Sequence, residues 1–120
     1  MHIQIQSQGF EVTAAIEARV QRQLHRALNR FGEDVLAVDV YLSDVNGPRG
    51  GCDKKALMRA SLRGLPPISV STEHGDLYVA ITRNAKRMQR TLRRALRKSR
   101  RIEPRRVLGF RRLSLDPATN

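Results

Sequence analysis

The side chains of this chain that could do chemistry are overwhelmingly cationic, and they are concentrated in one stretch. Arg83, Lys86, Arg87, Arg90, Arg93, Arg94, Arg97, Lys98, Arg100 and Arg101 follow one another with no acidic residue between Leu77 and Ile102. Guanidinium forks and ammonium point charges at such density are suited to phosphate oxygens. Like charges three and four residues apart on a helix repel, so a single-signed face calls for an anionic partner to relieve it. Arg19, Arg22, Arg26 and Arg30 recur earlier at helical spacing; alone they would read as a solvated helix face. Lys54 and Lys55, with Arg49, flank a Gly- and Pro-rich loop from which they could also reach a polyanion. Binding of this kind weakens steeply with salt and carries little base specificity.

Other chemistries lack their residues. His2, His25 and His74 are scattered, and with Cys52 as the lone cysteine no metal-ligand spacing arises. No Ser, His and Asp grouping sits in a motif that would make a nucleophile, so neither an enzyme nor a cofactor is expected, and no small-molecule substrate. Gly47-Pro48-Arg49-Gly50 spells a GxxG clamp, but between two strands rather than two helices, and no Gly-Lys-Ser/Thr phosphate loop occurs. Base stacking would need exposed aromatics. Of Phe10, Phe31, Tyr41, Tyr78 and Phe110, only Tyr41 falls on the outward face of an expected strand.

At 120 residues the chain fits one domain with its own core. Its net charge of +12 is unevenly spread: residues 1–85 hold ten basic and nine acidic side chains, whereas residues 86–120 hold thirteen and two. That asymmetry points to a polyanion, most often nucleic acid. No apolar run is long enough for a membrane span, and the N-terminus lacks a secretory layout. The single cysteine fits a reducing compartment, and the expectation is a cytoplasmic protein.

The elements that must position these cations follow from periodicity. His2-Ile3-Gln4-Ile5-Gln6 alternates as a short strand, broken by Ser7-Gln8-Gly9. Thr13 is placed to N-cap a helix reaching about Phe31, with Ile16, Val20, Leu24, Ala27, Leu28 and Phe31 inward and Gly32 as its stop. Val35–Val45 reads as a strand with Leu36, Val38, Val40 and Leu42 on one face and Asp39, Tyr41 and Ser43 on the other. After the loop Asn46–Asp53, a strand Lys55–Arg63 turns Ala56, Met58, Ala60 and Leu62 inward. Gly64-Leu65-Pro66-Pro67 turns the chain into a strand in which Ile68, Val70 and Thr72 alternate with Ser69 and Ser71. His74 and Asp76 set the start of the long basic helix, which Pro104 bars from continuing.

With Leu77 at zero and about 100° per residue, Ile81, Ala85, Met88, Leu92, Ala95 and Leu96 fill roughly 0–100° of that helix. The cations fall at roughly 140–300°. The order β-α-β-β-β-α predicts an α+β fold: a four-stranded sheet with both helices packed on one face. Residues 1–102 form the expected domain and 103–120 a basic, flexible tail.

Two stretches add a resemblance. Gly9-Phe10-Glu11-Val12-Thr13-Ala14-Ala15-Ile16 opens the first helix, and Glu73-His74-Gly75-Asp76-Leu77-Tyr78-Val79-Ala80-Ile81 opens the second. These resemble the ribosome hibernation promoting factors and ribosome-associated inhibitors, also called sigma-factor modulation proteins, over about residues 1–101. The resemblance implies the same fold, with the small ribosomal subunit and its rRNA as partner. It implies docking in the tRNA and mRNA channel and inhibition of translation under stress or in stationary phase. Arg87, Arg90 and Arg94 match basic positions of the family's second helix, and Arg26 one in its first. The RNA-binding set expected here is therefore Arg22, Arg26, Lys54, Lys55, Arg83, Lys86, Arg87, Arg90, Arg93, Arg94, Arg97 and Lys98. Family members often carry Pro at the position of Ala14 and a basic residue at that of Glu17, and the loop Asn46–Lys54 is longer here. The chain reads as a short form without the domain by which long members pair ribosomes, and a monomer is expected. The alternatives are a general double-stranded RNA or DNA module and a protein-interaction regulator of a sigma factor.

Overall fold

The computed structural model describes the backbone of residues 1–44 and 54–110, and side chains up to residue 99. The loop Asn46–Asp53 with Arg49 and Cys52, the side chains of Arg100 and Arg101, and residues 111–120 of the expected tail lie outside the described residues. Strand β1 (His2–Gln8) leads to helix α1 (Ala14–Leu28) and a 3-10 segment (Asn29–Asp34). Strands β2 (Val35–Asp44), β3 (Lys54–Leu62) and β4 (Leu65–His74) follow, and then helix α2 (Leu77–Phe110). This is the β-α-β-β-β-α order read from the sequence.

The four strands form one mixed sheet in the order β1-β2-β3-β4. β1 runs parallel to β2, while β2–β3 and β3–β4 are antiparallel. A parallel neighbour cannot be reached by a tight turn, and α1 supplies the crossover. The register stacks side chains into rows across the sheet. Ile3, Val38, Ala60 and Ile68 form one row, Ile5, Val40, Met58 and Val70 the next, and Ser7, Leu42, Ala56 and Thr72 the third. This face is closed by Ile16, Val20, Leu24, Ala27 and Leu28 of α1 and Ala80, Ile81, Ala85 and Met88 of α2, all buried. The opposite face carries the exposed His2, Gln4, Gln6 and Gln8 and the exposed Tyr41 and Arg59.

Both helix starts are capped as the sequence implies. Ile16 N–H donates to Thr13 Oγ1 at 3.2 Å, and Tyr78 N–H donates to Asp76 Oδ1 at 2.9 Å. His74 Nδ1 accepts from Asp76 N–H at 2.9 Å, so the imidazole fixes the turn that delivers the cap. The helices are tied together by Gln89 Nε2, which donates to Ala27 O at 3.0 Å. They are tied again by Arg19, whose guanidinium lies 5.2 Å from the Tyr78 ring centroid and reaches Thr82 Oγ1 at 3.5 Å. Arg19 is therefore a strut between helices.

The described residues fall into two compact units, Met1–Arg90 and a second beginning at Thr91. The second holds the remainder of α2, with Leu92 and Leu96 buried and Ala95 half-buried.

The structure departs from the sequence reading at six places. β1 runs through Ser7 and Gln8, which pair with Leu42 and Ser43 of β2, rather than breaking at Ser7. Leu36 is 50 % exposed, and Val35 takes the inward position. The β2–β3 register shifts between Val35 and Ala37, and a one-residue irregularity hands the face to the neighbouring residue. α1 ends at Leu28, and Gly32, at φ +55°, redirects the chain inside the 3-10 segment, leaving Phe31 only half-buried. The turn before β4 is only Arg63-Gly64, with Leu62 paired to Leu65 and Gly64 at φ +73°. Pro66 and Pro67 belong to β4, where an edge strand tolerates residues that cannot donate. Finally, α2 continues through Pro104 to Phe110. Pro104 removes one backbone donor, but Arg105, Arg106 and Leu108 beyond it favour helix, and the missing bond is not enough to end it.

One polar pair sits within this core. Asn84 is fully buried, Thr72 Oγ1 donates to its Oδ1 at 3.1 Å, and its Nδ2 is buried with no hydrogen-bond partner among the described residues.

Chemical denaturation checks both the strand facing and the buried pair. Leu42→Ala should cost about 2–5 kcal/mol, whereas Leu36→Ala on the same strand should change stability by no more than about 0.5 kcal/mol. Thr72→Val should cost about 1–3 kcal/mol by leaving Asn84 Oδ1 unsatisfied. The double variant Thr72→Val/Asn84→Leu should recover most of that stability, because both polar partners are then gone.

Candidate nucleic-acid interface

The exposed side of α2 is built by elimination. Once the residues facing the core are removed, Arg83, Lys86, Arg87, Arg90, Arg93, Arg94, Arg97 and Lys98 remain, and all eight are exposed. No carboxylate is interleaved among them, because the helix contains no acidic residue before Glu103. A guanidinium or ammonium without an acidic neighbour on its own helix keeps donors for an outside acceptor.

Four of these cations gather at a defined place. Arg83, Lys86, Arg87 and Arg90 form one wall of an open groove whose other wall is Ser71, Thr72 and Glu73 of β4. β4 is a terminal strand of the sheet, so its outward backbone groups are not engaged by another strand. Arg87 Nη1 donates to Ser71 O at 2.7 Å, which fixes that guanidinium along the strand edge. Arg87 thus has a structural role within the groove, and its remaining donors are directed by that bond. The groove lies wholly within the Met1–Arg90 unit.

The other expected site residues are placed differently. Arg22 and Arg26 are exposed on α1. Lys54 is held by Asp44 Oδ2 at 2.9 Å at the root of β3, half-buried. An ammonium already paired to a carboxylate offers less to phosphate. Lys55 lines a separate shallow groove with Gln6, Gln8, Tyr41 and Leu57, on the sheet face opposite the helices. Tyr41 is 38 % exposed there, so the ring is open to a stacking partner on that face.

Sequence reasoning did not find the β4 wall. Ser71, Thr72 and Glu73 become neighbours of the cations only through the packing of α2 beside an edge strand, and no spacing rule within β4 announces it. The position of Asn84 was legible: it falls at roughly 340° on the helical wheel, next to the apolar arc. Among the described residues no group of three or more His, Cys, Asp and Glu side chains could hold a metal, and no helix is long and apolar enough to cross a membrane.

Curated proteins give no match. Among solved structures, the chain is similar to the N-terminal domain of Protein Y from Thermus thermophilus, at 26% identity and a TM-score of 0.66, covering 78% of this chain and 98% of that one. It shares its fold with a ribosomal subunit interface protein from Coxiella burnetii, at 20% identity and a TM-score of 0.67, covering 79% and 97%. The family model described as sigma 54 modulation protein / S30EA ribosomal protein matches residues 3–100. The chain therefore belongs to that family, the one its two helix-opening motifs resemble.

Proposed function

We propose that this chain is a ribosome-associated factor that docks on the rRNA of the small subunit, in the channel for tRNA and mRNA, and thereby inhibits translation when growth stops. The observation that carries the proposal is the exposed, single-signed face of α2, with four of its cations gathered against β4. Family membership supports a ribosomal partner, and so does the likeness to the Thermus thermophilus domain. Phosphate is the one abundant anion of a folded rRNA surface, and Arg forks with Lys point charges suit its crowded oxygens. Inhibition would be steric: a folded domain seated in the channel excludes the substrates that use it, with no reaction of its own. Arg93, Arg94, Arg97 and Lys98 are further exposed cations of α2, and Arg22 and Arg26 add cations on α1. Residues 1–102 would suffice for docking, with 103–120 adding charge.

Co-sedimentation with ribosomal subunits tests this. The chain should pellet with small subunits at low salt and be released as salt rises. Arg83→Ala/Lys86→Ala/Arg90→Ala should reduce the slope of log K against log salt by about 2–3, roughly 0.7–0.9 for each phosphate no longer neutralised. Arg87 is left in place in that variant because of its bond to Ser71. Absence of pelleting with small subunits even at low salt would falsify the proposal. Equal competition by a naked duplex would favour a general duplex-binding module, and a nuclease-resistant protein partner a regulator of a sigma factor.

A further inference from the structure

The two edges of the sheet are built differently. β4 ends it on one side and carries Pro66, Pro67 and Glu73, residues of the kind that blunt an edge. β1 ends it on the other, and His2–Gln8 contains no proline and no Asp, Glu, Lys or Arg. Its burial alternates. His2, Gln4, Gln6 and Gln8 are exposed on the face away from the helices, while Ile3 and Ile5, on the helix side, are only half-buried. Val38 and Val40, paired with them on β2, are completely buried. The apolar rows of the core therefore run out to this edge and end there partly wet. Among the described residues no strand pairs with β1 on its outer side, so alternate residues turn their backbone N–H and C=O groups outward.

Charge decides which partner fits. At a net charge of +12, two copies of this chain repel wherever their cations meet. β1 is uncharged, and the flank of α1 turned away from α2 holds no Lys or Arg. Arg19 reaches Tyr78 and Thr82, and so marks the side of α1 that faces α2. Arg26 and Arg22 lie about 20° and 60° from Arg19 on the helical wheel, whereas Glu17, Gln21 and Leu28 lie about 160–180° from it. We propose that a second copy of this chain covers the β1 edge, in place of the monomer expected from the sequence. β1 pairs antiparallel with the partner's β1 about a two-fold axis at Ile5, joining the two four-stranded sheets into one. This register pairs all seven residues of the strand and keeps both faces continuous, because each residue meets one of the same facing. On the helix side Ile5 meets the partner's Ile5, and Ile3 the partner's Ser7. On the other side Gln4 meets the partner's Gln6, and His2 the partner's Gln8. A primary amide is donor and acceptor at once, so the glutamines are complementary to themselves. The α2 groove borders β4, at the far edge of the sheet, and stays open in the dimer.

Sedimentation velocity on the full chain, free of nucleic acid, tests this across a range of protein and salt concentrations. It should show a monomer–dimer equilibrium that salt strengthens, because salt screens the repulsion between two like net charges. Binding to a polyanion responds to salt with the opposite sign, so the two associations are told apart. Gln4→Lys/Gln6→Lys sets like charges against each other at two symmetric places and should weaken the dimer at least about tenfold. Gln4→Lys/Gln6→Glu differs only at residue 6, sets opposite charges at the same places, and should restore it. Glu73→Lys raises the net charge by the same two units at β4 and should leave the dimer close to the parent. Thermal unfolding of the dilute variants should match the parent, because Gln4, Gln6 and Glu73 are all exposed. A parent chain that stays monomeric up to about 1 mM overturns the inference. A dimer that persists in Gln4→Lys/Gln6→Lys removes β1 as the interface, and failure of Gln4→Lys/Gln6→Glu to recover rejects the two-fold axis at Ile5. Equal weakening by Glu73→Lys also overturns it, by reducing the effect to overall charge.

Discussion

The circumference of α2 is the constraint on which everything else depends. A helix has one perimeter, and this one must give a continuous apolar arc to the sheet while leaving the rest to mutually repelling cations. Ile81, Ala85 and Met88 secure the first demand by complete or nearly complete burial. Arg83, Lys86, Arg87 and Arg90 meet the second by standing clear of the core. The interlocking of Gln89 with Ala27 O, and of Arg19 with Tyr78 and Thr82, fixes how far the helix can rotate about its axis. A small rotation would bring cations toward the core and lift methyl groups into water, so these polar ties decide which side chains face outward.

The boundary between the two arcs is where a polar group enters the core. Asn84 lies at that boundary, buried yet polar, and its amide oxygen governs the orientation of a hydroxyl on the neighbouring strand. A charged helix face by itself distinguishes little beyond anions from everything else. Beside the edge of β4 one of these cations, Arg87, is held in place by its bond to Ser71 O.

Much of this was readable in the chain beforehand, because the signals involved are local and periodic. Alternation in β2 and β3, the Thr13 and Asp76 caps and the two-faced pattern of α2 each depend on a few consecutive residues. What was not readable depends on pairing. Leu36 fits the alternation of its own strand perfectly, and only the irregular register against β3 puts it in solvent. Pro66 and Pro67 look like a turn until β4 is known to be a terminal strand. Lys54 looks like a cation at the disposal of phosphate until the hairpin brings Asp44 opposite it. Pro104 shows the reverse error, in which a strong local rule was applied as absolute. The candidate site divides along the same line: its cations could be named from spacing, whereas the wall they face is a product of the fold.

The bond from Arg87 to Ser71 has a consequence for how the molecule behaves in a crowded solution. A terminal strand is a template on which any extended segment can assemble, since its outward carbonyls and amides await partners. Here one of those carbonyls already receives a guanidinium at 2.7 Å, and two prolines at the start of the same strand cannot donate at all. An incoming strand would have to displace a charge-assisted bond and align against residues unable to answer it. The Arg87 side chain therefore shields this sheet edge from self-association.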